Sequence, residues 1–232
     1  MFRKPIVCVV TARRRLCPGC DDARARRCLV QQAQAAIDSG VDLLQVRERD
    51  LEAAALTAIV EEIVILARSS STRVVVNDRL DVALAAGAAG VHLRGDSMPP
   101  RAARRLAPAG FLIGRSVHGV EEAAAAADAD YLLAGTVFPT PSKPDAALIG
   151  ESGLAAIARS VRCPVLAIGG VTLDLASRVA AAGASGVAAI GLFIDGGAGS
   201  ADQGGGRACR AASLRQTVES LRARFDSAGA AP

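Results

Sequence analysis

Short runs of β-branched and other apolar residues alternate along this chain with longer Ala- and Leu-rich stretches whose apolar positions recur at helical spacing. Eight such runs occur, at 5–11, 41–47, 73–76, 90–93, 111–116, 131–134, 164–168 and 186–189. Each is followed by a stretch of helical pattern, at 22–39, 52–70, 80–88, 99–108, 119–127, 151–161, 173–183 and 211–226. Strands alternating with helices at this spacing predict βαβ units and a parallel sheet. Eight units over residues 1–232 predict a single-domain (β/α)8 TIM barrel of the α/β class. A repeated joint supports this: residues 86–91 read Ala-Gly-Ala-Ala-Gly-Val and 182–187 read Ala-Gly-Ala-Ser-Gly-Val. In each, a glycine can end a helix in the left-handed conformation just before the next strand. An open doubly wound sheet, the competing architecture, would need about three fewer strands or a second domain. The Gly-rich stretch 195–206 is expected to be a mobile loop between the eighth strand and the last helix.

Composition narrows the partners. Apolar residues make up 51% and charged residues 22%, a globular balance that excludes disorder throughout. Twenty-seven Lys and Arg against 23 Asp and Glu leave a formal charge of +4, too small to imply nucleic acid. Six aromatic residues, five Phe and Tyr131, offer no base-stacking platform. The longest uncharged apolar run, 82–91, is about half the ~20 residues of a membrane span. Residues 1–11 read as a buried strand rather than a cleaved leader, so the protein is expected in the cytoplasm, with a homo-oligomer left open. Cys17 and Cys20 form one Cys-Pro-Gly-Cys without a second ligand pair; it reads as a turn, with metal or redox chemistry as the alternative. Cys8 and Cys163 lie in apolar runs and read as inert core residues.

In such barrels chemistry sits at the carboxyl ends of the strands. After the second strand, alternation places Gln45, Arg47 and Arg49 on the inward side and Val46 and Glu48 on the other. Inward cations need a partner, either a phosphorylated ligand or, for Arg47, a structural ion pair with Glu48 or Asp78. Asn77 and Asp78 after the third strand can cap a helix or offer oxygens to a hard cation such as Mg²⁺. His92, within the fourth strand, reads as a hydrogen-bonded core histidine. His118, beyond the fifth, is a candidate proton-transfer residue or a structural hydrogen-bonding group. Thr140, Ser142 and Lys143 after the sixth strand suit an anionic group, or form a Pro-rich lid. Gly169 and Gly170 after the seventh strand, with Ile190 and Gly191 after the eighth, predict a phosphate site of backbone amides.

Taken in order, Gln45-x-Arg47-x-Arg49, Asn77-Asp78-Arg79-x-Asp81, Gly90-Val91-His92-Leu93, Gly114-x-Ser116-x-His118, Phe138-Pro139-Thr140-Pro141-Ser142-Lys143 and Ala167-Ile168-Gly169-Gly170 resemble the thiamine phosphate synthase/TenI superfamily. The resemblance spans residues 5 to about 194. It implies a barrel that handles thiazole phosphate, with Gly170, Ile190 and Gly191 flanking that phosphate. It also implies one of two chemistries. Synthases join an aminopyrimidine methyl diphosphate to the thiazole, with basic residues, here Arg47 and Lys143, and Mg²⁺ on two aspartates neutralising the diphosphate. TenI-type tautomerases need no metal and rely on a proton relay, here through His118. Asp78 matches the first metal carboxylate, whereas Ser97 falls at the second and Asp96 lies one residue early. The Gly-Arg-Ser-Val-His segment 114–118 matches the tautomerases fully, and the expectation leans to that side. A non-catalytic thiazole-phosphate-binding regulator is a third reading.

Overall fold

In a computed structural model, which describes residues 4–141, 143–194 and 207–229, eight parallel strands close into a barrel in the order β1 to β8, β8 pairing with β1. They are β1 (Ile6–Val10), β2 (Leu43–Val46), β3 (Arg73–Asn77), β4 (Gly90–Leu93), β5 (Leu112–Val117), β6 (Tyr131–Ala134), β7 (Val165–Ile168) and β8 (Gly186–Ala189). All eight predicted strands are present, and the single-domain barrel is the observed fold. The helices are α1 (Arg13–Leu16), α2 (Asp22–Asp38), α3 (Ala53–Ala67), α4 (Leu80–Ala85), α5 (Pro100–Leu106), α6 (Val120–Ala125), α7 (Gly150–Ser160), α8 (Ala176–Ala181) and α9 (Arg207–Gly229). Two elements have no counterpart in the sequence expectation: α1, and a 3-10 turn at Gly191–Phe193. Each spans less than two helical turns, too short for a periodic signal. The expected mobile loop at 195–206 lies outside the described residues.

The alternation of each strand divides the core in two. Ile6, Cys8, Val10, Leu43, Val75, Tyr131, Leu133, Leu166 and Ala188 fill the barrel lumen. The intervening residues, such as Val7, Val9, Leu44, Val74, Val76 and Val91, pack outward against the helices. Uninterrupted apolar strands therefore reflect burial on both faces of a parallel sheet. The lumen is filled rather than open because large and small residues complement each other. A Cβ on Gly114 would lie 2.2 Å from Cζ of Tyr131, so the glycine makes room for that ring. The repeated joints behave as expected, with Gly87 and Gly183 at φ +65° and +84°. α9 is tied back by Arg222, which donates to the carbonyls of Pro5 and Gly40 and pairs with Asp42 at 3.0 Å.

Residues 17–20 form the expected Pro-Gly turn, with Gly19 at φ +71°, and the two sulfurs are joined as a disulfide. Cys8 is buried in the lumen as expected, but Cys163 precedes β7 and is only half-buried. Among the described residues no helix is long and apolar enough to cross a membrane.

Candidate active site

A cavity of about 820 Å³ opens at the carboxyl ends of the strands. Inward-facing positions of four neighbouring strands supply part of its lining: Gln45 from β2, Asn77 from β3, His92 from β4 and Ser116 from β5. Gln45 donates from Nε2 to Oδ1 of Asn77 at 3.0 Å. Its own Oε1 is buried with no hydrogen-bond partner among the described residues, an arrangement that calls for a donor on a ligand. His92 lies between Ser116 Oγ, 2.9 Å from Nε2, and the Tyr131 hydroxyl, 3.3 Å from Nδ1. Burial pushes its pKa down to about 3, so the imidazole is neutral and structural near pH 7, in keeping with the core histidine expected there.

Arg47 and Arg49 continue the inward row from Gln45 into the cavity. The ion pair considered for Arg47 is not formed, because both candidate carboxylates are engaged elsewhere. Glu48 points away, accepting from Thr11 Oγ1 at 2.6 Å and from the buried Arg13 guanidinium at 3.1 Å. Asp78 faces Arg94, with 3.7 Å between Nη1 and Oδ2. Burial lowers the Arg47 pKa, and the charges of Arg49 and Arg94 lower it further against the pull of Glu48. A partly buried guanidinium whose charge is disfavoured by burial and by two neighbouring cations is relieved by an anion.

Thr140 and Lys143 border the cavity from the segment after β6, whereas Ser142 lies outside the described residues. Gly169, Gly170, Ile190 and Gly191 also line it, from the turns after β7 and β8, while Arg47 and Arg49 follow β2 and Arg94 follows β4. Gly169 and Gly170 take φ +96° and +65°, and a Cβ on Gly170 would lie 2.4 Å from the Pro139 carbonyl. The turn is held against the β6 segment by Val137 N donating to Ile168 O and Phe138 N to Gly169 O, each at 3.0 Å. His118 stands at the rim, half-exposed, with Nδ1 3.1 Å from Glu122 Oε2 and its amide donating to the same oxygen at 2.9 Å. Burial opposes ionisation of Glu122, but its hydrogen bonds with His118 outweigh that and hold its carboxyl below the usual range.

The two acids assigned to a metal do not meet in one cavity. Asp78, at φ +63°, lines a separate side pocket of about 180 Å³, and Asp96 borders neither cavity. The Arg94 guanidinium bridges them, Nη2 on Asp96 and Nη1 facing Asp78. The segment bearing Asp96 is itself pinned, since Arg115 donates to the carbonyls of Gly95, Ser97 and Met98. Mg²⁺ needs oxygens at about 2.0–2.1 Å, and here a cation already engages both carboxylates. Asp78 and Asp96 therefore do not fit a shared dication. Nor does Asp78 cap α4, whose N-cap is Arg79 without a side-chain cap bond.

Sequence reasoning missed Arg15, Arg94 and Thr136, which also line the cavity. Arg94 was accessible from alternation, two positions beyond the inward His92. Arg15 sits on α1 within an unpatterned Arg-Arg-Arg run and carried no such signal.

The thiamine monophosphate synthase family model matches residues 16–193. A thiamine-phosphate synthase of Methanospirillum hungatei is 44% identical over 182 residues, 77% of this chain and 85% of that protein. One from Roseiflexus castenholzii is 42% identical over 192 residues, covering 82% and 81%. Among solved structures, a thiamine phosphate pyrophosphorylase from Pyrococcus furiosus superposes with a TM-score of 0.74 at 36% identity, covering 94% of this chain and 96% of that one. These relatives carry synthase or pyrophosphorylase names, and they correct the lean toward a tautomerase in favour of a transferase. The chain belongs to the thiamine monophosphate synthase family of thiamine-biosynthetic enzymes.

Proposed function

We propose that this protein joins an aminopyrimidine methyl diphosphate to thiazole phosphate, forming thiamine phosphate and releasing diphosphate. One observation carries the reading: a single cavity is lined by arginines after β2 and β4, by glycine-rich turns after β7 and β8, and by neutral amides and hydroxyls. Two substrates, one bearing a diphosphate and the other a phosphate, need two anion-holding stretches in one cavity.

Gln45 and Asn77 suit the pyrimidine. With Nε2 engaged by Asn77, Gln45 presents a bare acceptor, and Asn77 retains its amide nitrogen as a donor. An aminopyrimidine edge offers the reverse pair, an amino donor beside a ring-nitrogen acceptor. Arg47 and Arg49, with Lys143, then meet the diphosphate. As the C–O bond breaks, its electron pair leaves with the diphosphate oxygen, and these fixed cations stabilise the charge that collects there. The thiazole nitrogen directs its lone pair to the methylene cation and becomes the thiazolium nitrogen, so the bond exchange itself moves no proton. Amides around Gly169, Gly170, Ile190 and Gly191 hold the thiazole phosphate. His118, its Nδ1 held by Glu122, stands at the rim as a hydrogen-bonding group.

Magnesium, which the family resemblance implies for the synthase reaction, has no step in this account because Asp78 and Asp96 do not fit it together. The test is to supply the purified protein with both substrates and measure thiamine phosphate and diphosphate. Equal release of the two is expected. No product, together with turnover of a thiazole carboxylate phosphate, would replace the transferase with a tautomerase.

A further inference from the structure

We propose that Arg94 is a resident cation for the diphosphate, occupying with its guanidinium the place where two carboxylates would otherwise hold a dication. The inference rests on the transferase reading for the identity of the anion and on geometry for the rest. Arg94 follows the inward His92 by two residues, so the pleat directs it to the mouth of the barrel. There it borders both the main cavity and the side pocket that contains Asp78. Its two terminal nitrogens reach Asp78 and Asp96. A guanidinium has five donors in a planar fork, and two single contacts leave donors for a third oxyanion. Arg94 also lines the same cavity as Arg47 and Arg49, so one anion bound there can meet all three. The neighbouring carboxylates thus act on Arg94, orienting its fork and compensating its charge while the site is empty of substrate.

This arrangement makes a distinctive prediction about magnesium. With Arg94 present, inorganic pyrophosphate should bind without a dication; with Arg94 removed, Asp78 and Asp96 are released and a dication can take the guanidinium's place. Calorimetric titration of the intact protein and of Arg94→Ala with inorganic pyrophosphate, with magnesium chelated or supplied, reads this directly. The intact protein should bind under chelation, and Arg94→Ala should bind about tenfold or more weakly, the scale of one lost charge-assisted hydrogen bond. Magnesium should restore most of the affinity of Arg94→Ala and change that of the intact protein little. Binding by the intact protein only with magnesium, equal binding by Arg94→Ala under chelation, or no rescue of that variant by magnesium would each overturn the proposal. Failure of the intact protein to form thiamine phosphate, with these titrations as expected, would instead remove the transferase reading and leave the anion site standing.

Discussion

Arg13 and Glu48 form an ion pair inside the rim of the barrel, 3.1 Å apart, with only 2% and 3% of their side chains exposed. Neither enters the cavity, yet the pair sets what does. Glu48 also receives Thr11 Oγ1, and that hydroxyl accepts the amide of Arg47 at 2.9 Å. The backbone presenting Arg47 and Arg49 is therefore fixed from behind by the loop after β1. Breaking a buried pair by removing one charge is strongly destabilising, so Glu48→Gln should cost on the order of 3 kcal/mol. In a chain of this length that corresponds to roughly 10 °C in Tm, read by calorimetry. Among molecules still folded, KM for the diphosphate substrate should rise more than kcat falls.

Burial of neutral His92 gives stability a pH dependence. Its pKa is about 3 in the folded protein against an ordinary value of 6.5. The unfolded chain thus takes up a proton below pH 6.5 that the folded one does not. This contribution is fully present above pH 6.5 and is lost as pH falls from 6.5 toward 3, by about 1.4 kcal/mol per pH unit. Denaturant titrations of the intact protein and of His92→Asn should show the variant less stable at pH 7, through lost bonds to Ser116 and Tyr131. The gap should narrow as the pH is lowered to 5, and a constant gap would contradict the assignment.

At Gly170, Gly170→Ala forces a side chain into a left-handed conformation and against the Pro139 carbonyl. Thiazole phosphate affinity, measured by titration, should fall at least about tenfold, corresponding to about 1.4 kcal/mol. Pyrophosphate binding should change little, because Arg47, Arg49 and Arg94 come from the segments after β2 and β4 rather than from the β7 turn.

His118 separates the two chemistries of the family. In the transferase it contributes one hydrogen bond at the rim, so His118→Asn should lower thiamine phosphate formation by no more than about tenfold. As a proton relay it would be worth on the order of 10² to 10⁴. A loss in the larger range would restore to His118 the proton-transfer role read from the sequence.

The barrel was legible because its signals are local and repeated: apolar runs, helical spacing and two matching Gly joints recur along the chain. The inward row Gln45, Arg47 and Arg49 was legible for the same reason, since alternation needs only the strand's own residues. What escaped depended on partners distant in sequence. That Glu48 belongs to Arg13, thirty-five residues earlier, decides that Arg47 is left for a ligand. That the Arg94 guanidinium lies between Asp78 and Asp96 could not be read from the spacing of the two acids alone. The lean to the tautomerase rested on a five-residue match at 114–118, which relatives matched over 182 and 192 residues outweigh.

The segment after β6 and the turn after β7 are laced together by Val137, Phe138 and the carbonyls of Ile168 and Gly169, with no room for a side chain at Gly170. Sequence change at one is therefore not independent of the other. A library varying 136–139 and 169–170 together should recover functional combinations that single replacements at either place never reveal. Redesign of this side for a different phosphorylated ring has to treat the two stretches as one heritable unit.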